Sequence, residues 1–213
     1  MTDRLTMYND ALLLCGQRAL GSLTETTESR RLLDQVYNSG GIQKCLEEGQ
    51  WKFAMRTIQS DYDQNVTPTF GYARAFSKPT DWVVTSAVCS DEYFKAPLIA
   101  YNDEAGYWYA DLDTIYVRYV SSDEAYGLNI NDWPGSFAEF VAAHFASKIA
   151  LKLGGGDDKF KVVMGMREKL KKIALNKDAM ADPMKFPAPG AWTRSRLGSR
   201  GRSDRGNISG DLY

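Results

Sequence analysis

Leu5, Tyr8, Leu12, Cys15 and Ala19 fall three to four residues apart in TMYNDALLLCGQRALGSL and predict a first helix, which Gly21 interrupts. The spacing returns at Leu32, Leu33, Val36 and Tyr37, then at Ile42, Cys45 and Leu46. Gly40–Gly41 lies between these sets. Each glycine costs a helix about 1 kcal/mol relative to alanine, so the pair marks either a break or a close crossing.

After Gly49 the period changes. From Trp51 to Val120 the chain is rich in β-branched and aromatic residues and is punctuated by Pro68, Pro79 and Pro97. WKFAMRTIQ, DWVVTSAVC, APLIAY, GYWYA and DTIYVRYV read as strands. YNDEAGY has the polar, glycine-containing chemistry of a turn between antiparallel strands. Helical spacing resumes after Pro134, with Phe137, Phe140, Val141, Phe145, Ile149 and Leu153 on one face. The run Gly154–Gly156 stops that helix, and Phe160, Val163, Met164, Leu170 and Ile173 carry another over about Asp158–Met180. A short loop between two helices predicts antiparallel packing.

The plan is α+β. N-terminal helices (1–50) and C-terminal helices (132–180) form one bundle, with an antiparallel β-rich region (51–131) inserted between them. Residues 181–213 hold Pro183, Pro187 and Pro189 with few apolar anchors. Such a segment cannot offset its own ordering entropy and is expected to be a disordered tail.

Charge refines this picture. The chain total is −1, but Arg194, Arg196, Arg200, Arg202 and Arg205 against Asp204 give the tail segment +4, leaving −5 on the rest. Cys15, Cys45 and Cys89 are odd in number and widely spaced, as expected of reduced core cysteines in a protein made in a cytoplasm. The start MTDRLTMYND lacks the basic and apolar regions of a signal peptide, and no apolar run reaches the length of a membrane span.

Candidate chemistry is sparse. His144 is the only histidine, close to the apolar stripe, so a packed or boundary histidine is expected rather than a member of a triad or a zinc site. KLGGGDDKF lacks the lysine–hydroxyl ending of a phosphate loop and stands between two helices. Asp111 and Asp113 share one strand face and suit either a hard cation or a turn whose carboxylates bond local backbone. Asp91, Glu92, Asp103 and Glu104, with Asp111 and Asp113, are the carboxylates from which an acid–base pair for glycoside hydrolysis would be drawn. No metal and no cofactor is expected.

In DTIYVRYV, Ile115, Val117 and Tyr119 share one face and Tyr116, Arg118 and Val120 the other, and neither face is plainly polar. A strand apolar on both faces is expected to be buried on both, by its own domain and by a further helix or a neighbouring subunit. Tyr107, Trp108, Tyr109, Tyr116, Arg118 and Tyr119 are therefore the candidate interface residues, of types enriched at binding hot spots. The tail offers Trp192 and Leu197 among its arginines. That pattern fits a nucleic-acid arm, a segment that orders in an acidic protein groove, or a solvated tail.

Several ordered blocks resemble the head-to-tail adaptor proteins of short-tailed bacteriophages, also called tail tubular protein A. They are MYNDALLLCGQRALGSLTE, RRLLDQVYNSGGIQKCLEEGQWKFAMRT, FGYARAFSKPTDWV, CSDEYFKAPLIAYNDEAGYWYADLDTIYVRYVS and WPGSFAEFVAAHFASKIALKL. The resemblance covers about residues 5–180. It implies a structural virion protein and no enzyme: a homo-oligomeric ring, dodecameric in the virion, between the portal protein and the tail nozzle protein, with genomic DNA passing through the lumen and no membrane contact. It further implies that the tail, with Trp192, Arg194, Arg196, Leu197, Arg200, Arg202 and Arg205, grips the portal. Some relatives degrade cell-wall or surface polysaccharide, which makes a carboxylate enzyme of the β-rich region the alternative.

Overall fold

The computed structural model describes residues 3–69, 71–154 and 156–181. The tail expected over 181–213 therefore lies, apart from Ala181, outside the described residues.

Helix α1 (Arg4–Leu14) begins where the Asp3 carboxylate accepts the backbone N–H of Thr6 at 2.7 Å. It ends earlier than its apolar spacing suggests. Gly16 has φ +65°, and the backbone N–H groups of Gly16 and Gln17 close onto the carbonyls of Leu13 and Leu12. That left-handed cap, which glycine adopts without strain, stops the helix before Ala19 and Gly21 are reached.

Helices α2 (Glu28–Asn38) and α3 (Gly41–Glu47) show that Gly40–Gly41 is both a break and a crossing. Gly40 has φ +77°, while a Cβ on Gly41 would sit 2.7 Å from the Val36 carbonyl oxygen and 3.1 Å from the Phe145 ring.

Helix α4 (Gly135–Ile149) starts directly after Pro134 and packs against α1, α2, α3 and α5 (Asp157–Met180). It is buried nearly all round rather than on one stripe, because neighbours cover every side. Phe137 lies at its heart, with ring centroids 4.7 Å from Trp51, 4.7 Å from Phe53 and 5.0 Å from Trp133. The two indoles beside it are satisfied, Trp51 donating to the Cys45 carbonyl and Trp133 to that of Gly127.

The inserted region holds two antiparallel three-stranded sheets. One is ordered β1 (Met55–Asp61), β6 (Thr114–Ser121), β3 (Trp82–Cys89); the other is ordered β2 (Arg74–Ser77), β5 (Tyr107–Ala110), β4 (Asn102–Glu104). Phe76, Val88, Trp108, Ala110, Ile115, Val117 and Tyr119 form a second core. Ala105 and Gly106, with φ +50° and +82°, make the tight turn between β4 and β5.

Two strand expectations change. The chain over 96–101 is a loop, not a strand, apart from a single bridge between Cys89 and Pro97. Proline has no N–H to donate, and the Asp91 carboxylate takes the N–H groups of Lys95 and Ala96, which turns the chain. Conversely β2 is a strand the pattern does not announce, since only Ala75 and Phe76 of its four residues are buried.

Candidate interaction surface

The six aromatic and arginine residues expected to form one interface do not share a surface. Trp108 on β5 and Tyr119 on β6 are fully buried, their rings 6.5 Å apart in the second core. The Trp108 indole donates to Thr85 Oγ1 at 2.9 Å and to Asp103 at 3.2 Å, and the Tyr119 hydroxyl donates to Asp81 at 3.0 Å. Both side chains are covered by their own chain and present nothing to a partner.

The period of two then sends the remaining four elsewhere. Tyr107 and Tyr109 flank Trp108 as half-buried neighbours, rings 6.2 Å apart. Tyr116 and Arg118 belong to the other sheet; Tyr116 is half-buried, while Arg118 is exposed with its guanidinium 4.5 Å from the Phe94 ring. So β6 is closed on both faces only towards its end, where Tyr119 enters the second core and Val120 the helical core. The covering element on that second side is the chain's own helical region.

Four of the six candidate carboxylates, Asp91, Asp103, Asp111 and Asp113, are engaged in local structure. Asp111 accepts the Ala73 N–H at 2.8 Å and Asp113 pairs with Arg74 at 3.0 Å, so both tie the start of β2 to the β5–β6 connection. Asp103 pairs with Lys78, whose ammonium lies 3.7 Å from the Trp82 ring centroid, and accepts from Thr85 at 2.7 Å. The backbone bonds from Lys95 and Ala96 hold the Asp91 carboxyl below the usual carboxylate range. Among the described residues, no group of three or more histidine, cysteine, aspartate or glutamate side chains is placed to hold a metal ion.

Asp81 is a node that the spacing of residues does not reveal. Its carboxylate accepts from Arg56 at 3.0 Å, from Tyr119 and from Ser121, while its backbone carbonyl accepts the Ser122 N–H at 2.7 Å. Burial pushes the carboxyl pKa up, but the bonds from Ser121, Arg56 and Tyr119 overcome it and the net shift is downward. The only signal in the sequence is an aspartate in the turn KPTDW, ahead of a strand.

His144 is packed inside, as expected, at 4% exposure. Its Nδ1 accepts the Nε–H of Arg167 at 3.2 Å, so the ring faces a cation rather than the carboxylate that would orient a catalytic imidazole. Burial first, then Arg167, Lys148 and Lys44, lower its pKa to about 4, against an opposing pull from Glu48.

Among the described residues, exposed apolar side chains occur singly at Leu13, Leu23 and Leu151 and in two groups. Along α5, Val162, Met166, Ile173 and Met180 are exposed, the last three spaced by seven residues. In the loop between β3 and β4, Tyr93 and Ile99 are exposed, Ile99 at 94%. Trp192, Arg194, Arg196, Leu197, Arg200, Arg202 and Arg205 lie outside the described residues. No described helix is long and apolar enough to cross a membrane. No protein-family model matches the chain, and no curated protein sequence matches it significantly.

Proposed function

We propose that the chain is a structural component of a virion, the head-to-tail adaptor of a short-tailed phage. Its copies form a ring between portal and nozzle, and its arginine-bearing tail grips the portal. The observation that carries this reading is the placement of apolar side chains beyond what the fold itself needs. The helical core is complete, yet Val162, Met166, Ile173 and Met180 line the open side of α5, and Tyr93 and Ile99 project from a loop pinned by Asp91. Apolar rows of this kind belong to chains that meet other chains. The choice of adaptor among such chains rests on the resemblance of the ordered blocks over residues 5–180.

The test is to mix the chain with the portal ring encoded by the same genome and image the mixture by cryo-electron microscopy. A second ring stacked under the portal, with the α5 row covered by a neighbouring copy, is the expected result. Undecorated portals, with both proteins folded, would overturn the reading. Removal of residues 182–213 should leave the fold intact and abolish attachment.

A further inference from the structure

Between α4 and α5 lies a cleft of about 400 Å³ whose wall includes His144, Ser147, Lys148, Phe160, Met164 and Arg167. Its hydrogen bonding is unbalanced. Nδ1 of His144 is occupied as an acceptor by Arg167. A neutral imidazole that accepts at one nitrogen donates at the other, so the ring proton sits on Nε2. That Nε2 is buried and has no hydrogen-bond partner. The nearby Ser147 hydroxyl donates to the His144 backbone carbonyl at 2.7 Å and is not placed to accept from Nε2.

Charge is unbalanced in the same direction. From α3 comes Lys44, with Glu48 just past its end; from α4, Lys148; from α5, Arg167, with Glu168 and Lys171 beside it. Arg167 pairs with Glu48 and Glu168, and Lys171 pairs with Glu48 at 2.8 Å. Lys44 and Lys148 form no ion pair among the described residues, and Lys148 stands exposed on the cleft wall. An unmet buried donor beside an unpaired ammonium asks for an acceptor that carries negative charge. Phe160 and Met164 add an apolar wall, which suits a group attached to methylenes better than a fully hydrated anion.

We propose that this cleft is a carboxylate-binding site, in which the ligand's oxygens accept from His144 Nε2–H and Lys148 Nζ while its methylenes pack on Phe160 and Met164. The site is independent of the adaptor reading. Two sources carry that chemistry, a free small carboxylate and a glutamate side chain of a protein.

Because His144 is the only histidine, its imidazole nitrogens report on one site without assignment. The experiment is a long-range 1H–15N spectrum of the full-length 15N-labelled chain at pH 7, titrated with sodium acetate, with the capped peptide acetyl-Gly-Glu-Gly-amide, with inorganic phosphate, and with sodium chloride at matched ionic strength. Acetate or the peptide should give a saturable shift of Nε2 with a Kd on the order of 10 mM, within what a handful of heavy atoms supplies. Chloride should give none. K148Q should weaken the titration at least about five-fold, the loss of one charge-assisted bond, whereas K152Q, on an exposed lysine outside the cleft, should leave it unchanged. Tighter binding of the peptide assigns the site to a protein side chain, and tighter binding of acetate to a free carboxylate. Either supports the proposal. Shifts no larger than those in chloride, saturation by phosphate alone, or equal weakening by K148Q and K152Q would overturn it.

Discussion

The helical and β regions of this chain solve the same problem with different means. Among the described residues the helical core holds 23 buried apolar side chains, including Trp51, Phe137, Phe140 and Phe145. The core between the sheets holds 7. A core that small gives the sheets little to hold them together, and polar clips do part of the joining. Asp81 ties β1 and β6 to the turn before β3, Asp103 ties β4 to Lys78 and Thr85, and Asp111 and Asp113 tie β2 to the connection before β6. Apolar burial tolerates no void but is indifferent to pH. Clips are cheap to lose when exposed and sensitive to acid when buried.

The largest effect should come from the helical core. Phe137→Ala opens a void among Trp51, Phe53 and Trp133 and should cost about 3–5 kcal/mol, read from the midpoint of urea unfolding. A loss under about 1 kcal/mol would mean that the aromatic cluster collapses to fill the gap, and the contrast between the regions would fail.

Next comes His144, the buried imidazole of α4. His144 falls from 6.5 to about 4 on folding, so the unfolded chain binds more protons between those values. Its contribution is complete above about pH 6.5 and should be lost as pH falls towards about 4, by at most about 3 kcal/mol. The check is denaturant unfolding from pH 7 to pH 4, in which His144→Gln should flatten this limb.

In the β region, Asp81→Ala strands Arg56 and the hydroxyls of Tyr119 and Ser121 and should cost about 2 kcal/mol. Its carboxyl lies below the ordinary 3.8, so its contribution is present above that value and disappears only as pH falls through the lower, folded one. The two acid limbs therefore separate. The His144 limb lies above that of Asp81, so Asp81→Ala should leave the loss of stability between about pH 6.5 and 4 in place, and its disappearance in that variant would contradict the assignment. The smallest effect is expected from Asp111→Asn with Asp113→Asn, under about 1 kcal/mol in thermal unfolding, because both carboxylates are exposed.

The helices could be read from spacing because α4 and α5 each repeat apolar residues over many turns, and the hairpin turn at Ala105–Gly106 because its residue chemistry is local. The α1 terminus could not be placed so well: Cys15 and Ala19 keep the spacing, but Gly16 is where the backbone turns left-handed. The site was less legible than the fold. Tyr107 to Tyr109 and Tyr116 to Tyr119 look like one aromatic stripe along the chain. Alternation sends Trp108 and Tyr119 to each other and the rest to separate places. Asp81 gathers Arg56 and Ser121 from strands 25 and 40 residues away, and no local pattern encodes that meeting.

The sequence by itself determined the order of elements, the α+β class and the uneven charge, because periodicity, turn chemistry and residue type act over a few neighbouring residues. Only the tertiary structure decided which face of β6 is closed, which carboxylates are already engaged, and that His144 meets Arg167 beside an open cleft. Those depend on contacts between elements far apart in the chain, where burial and hydrogen-bond partners are set by packing rather than by any run of residues.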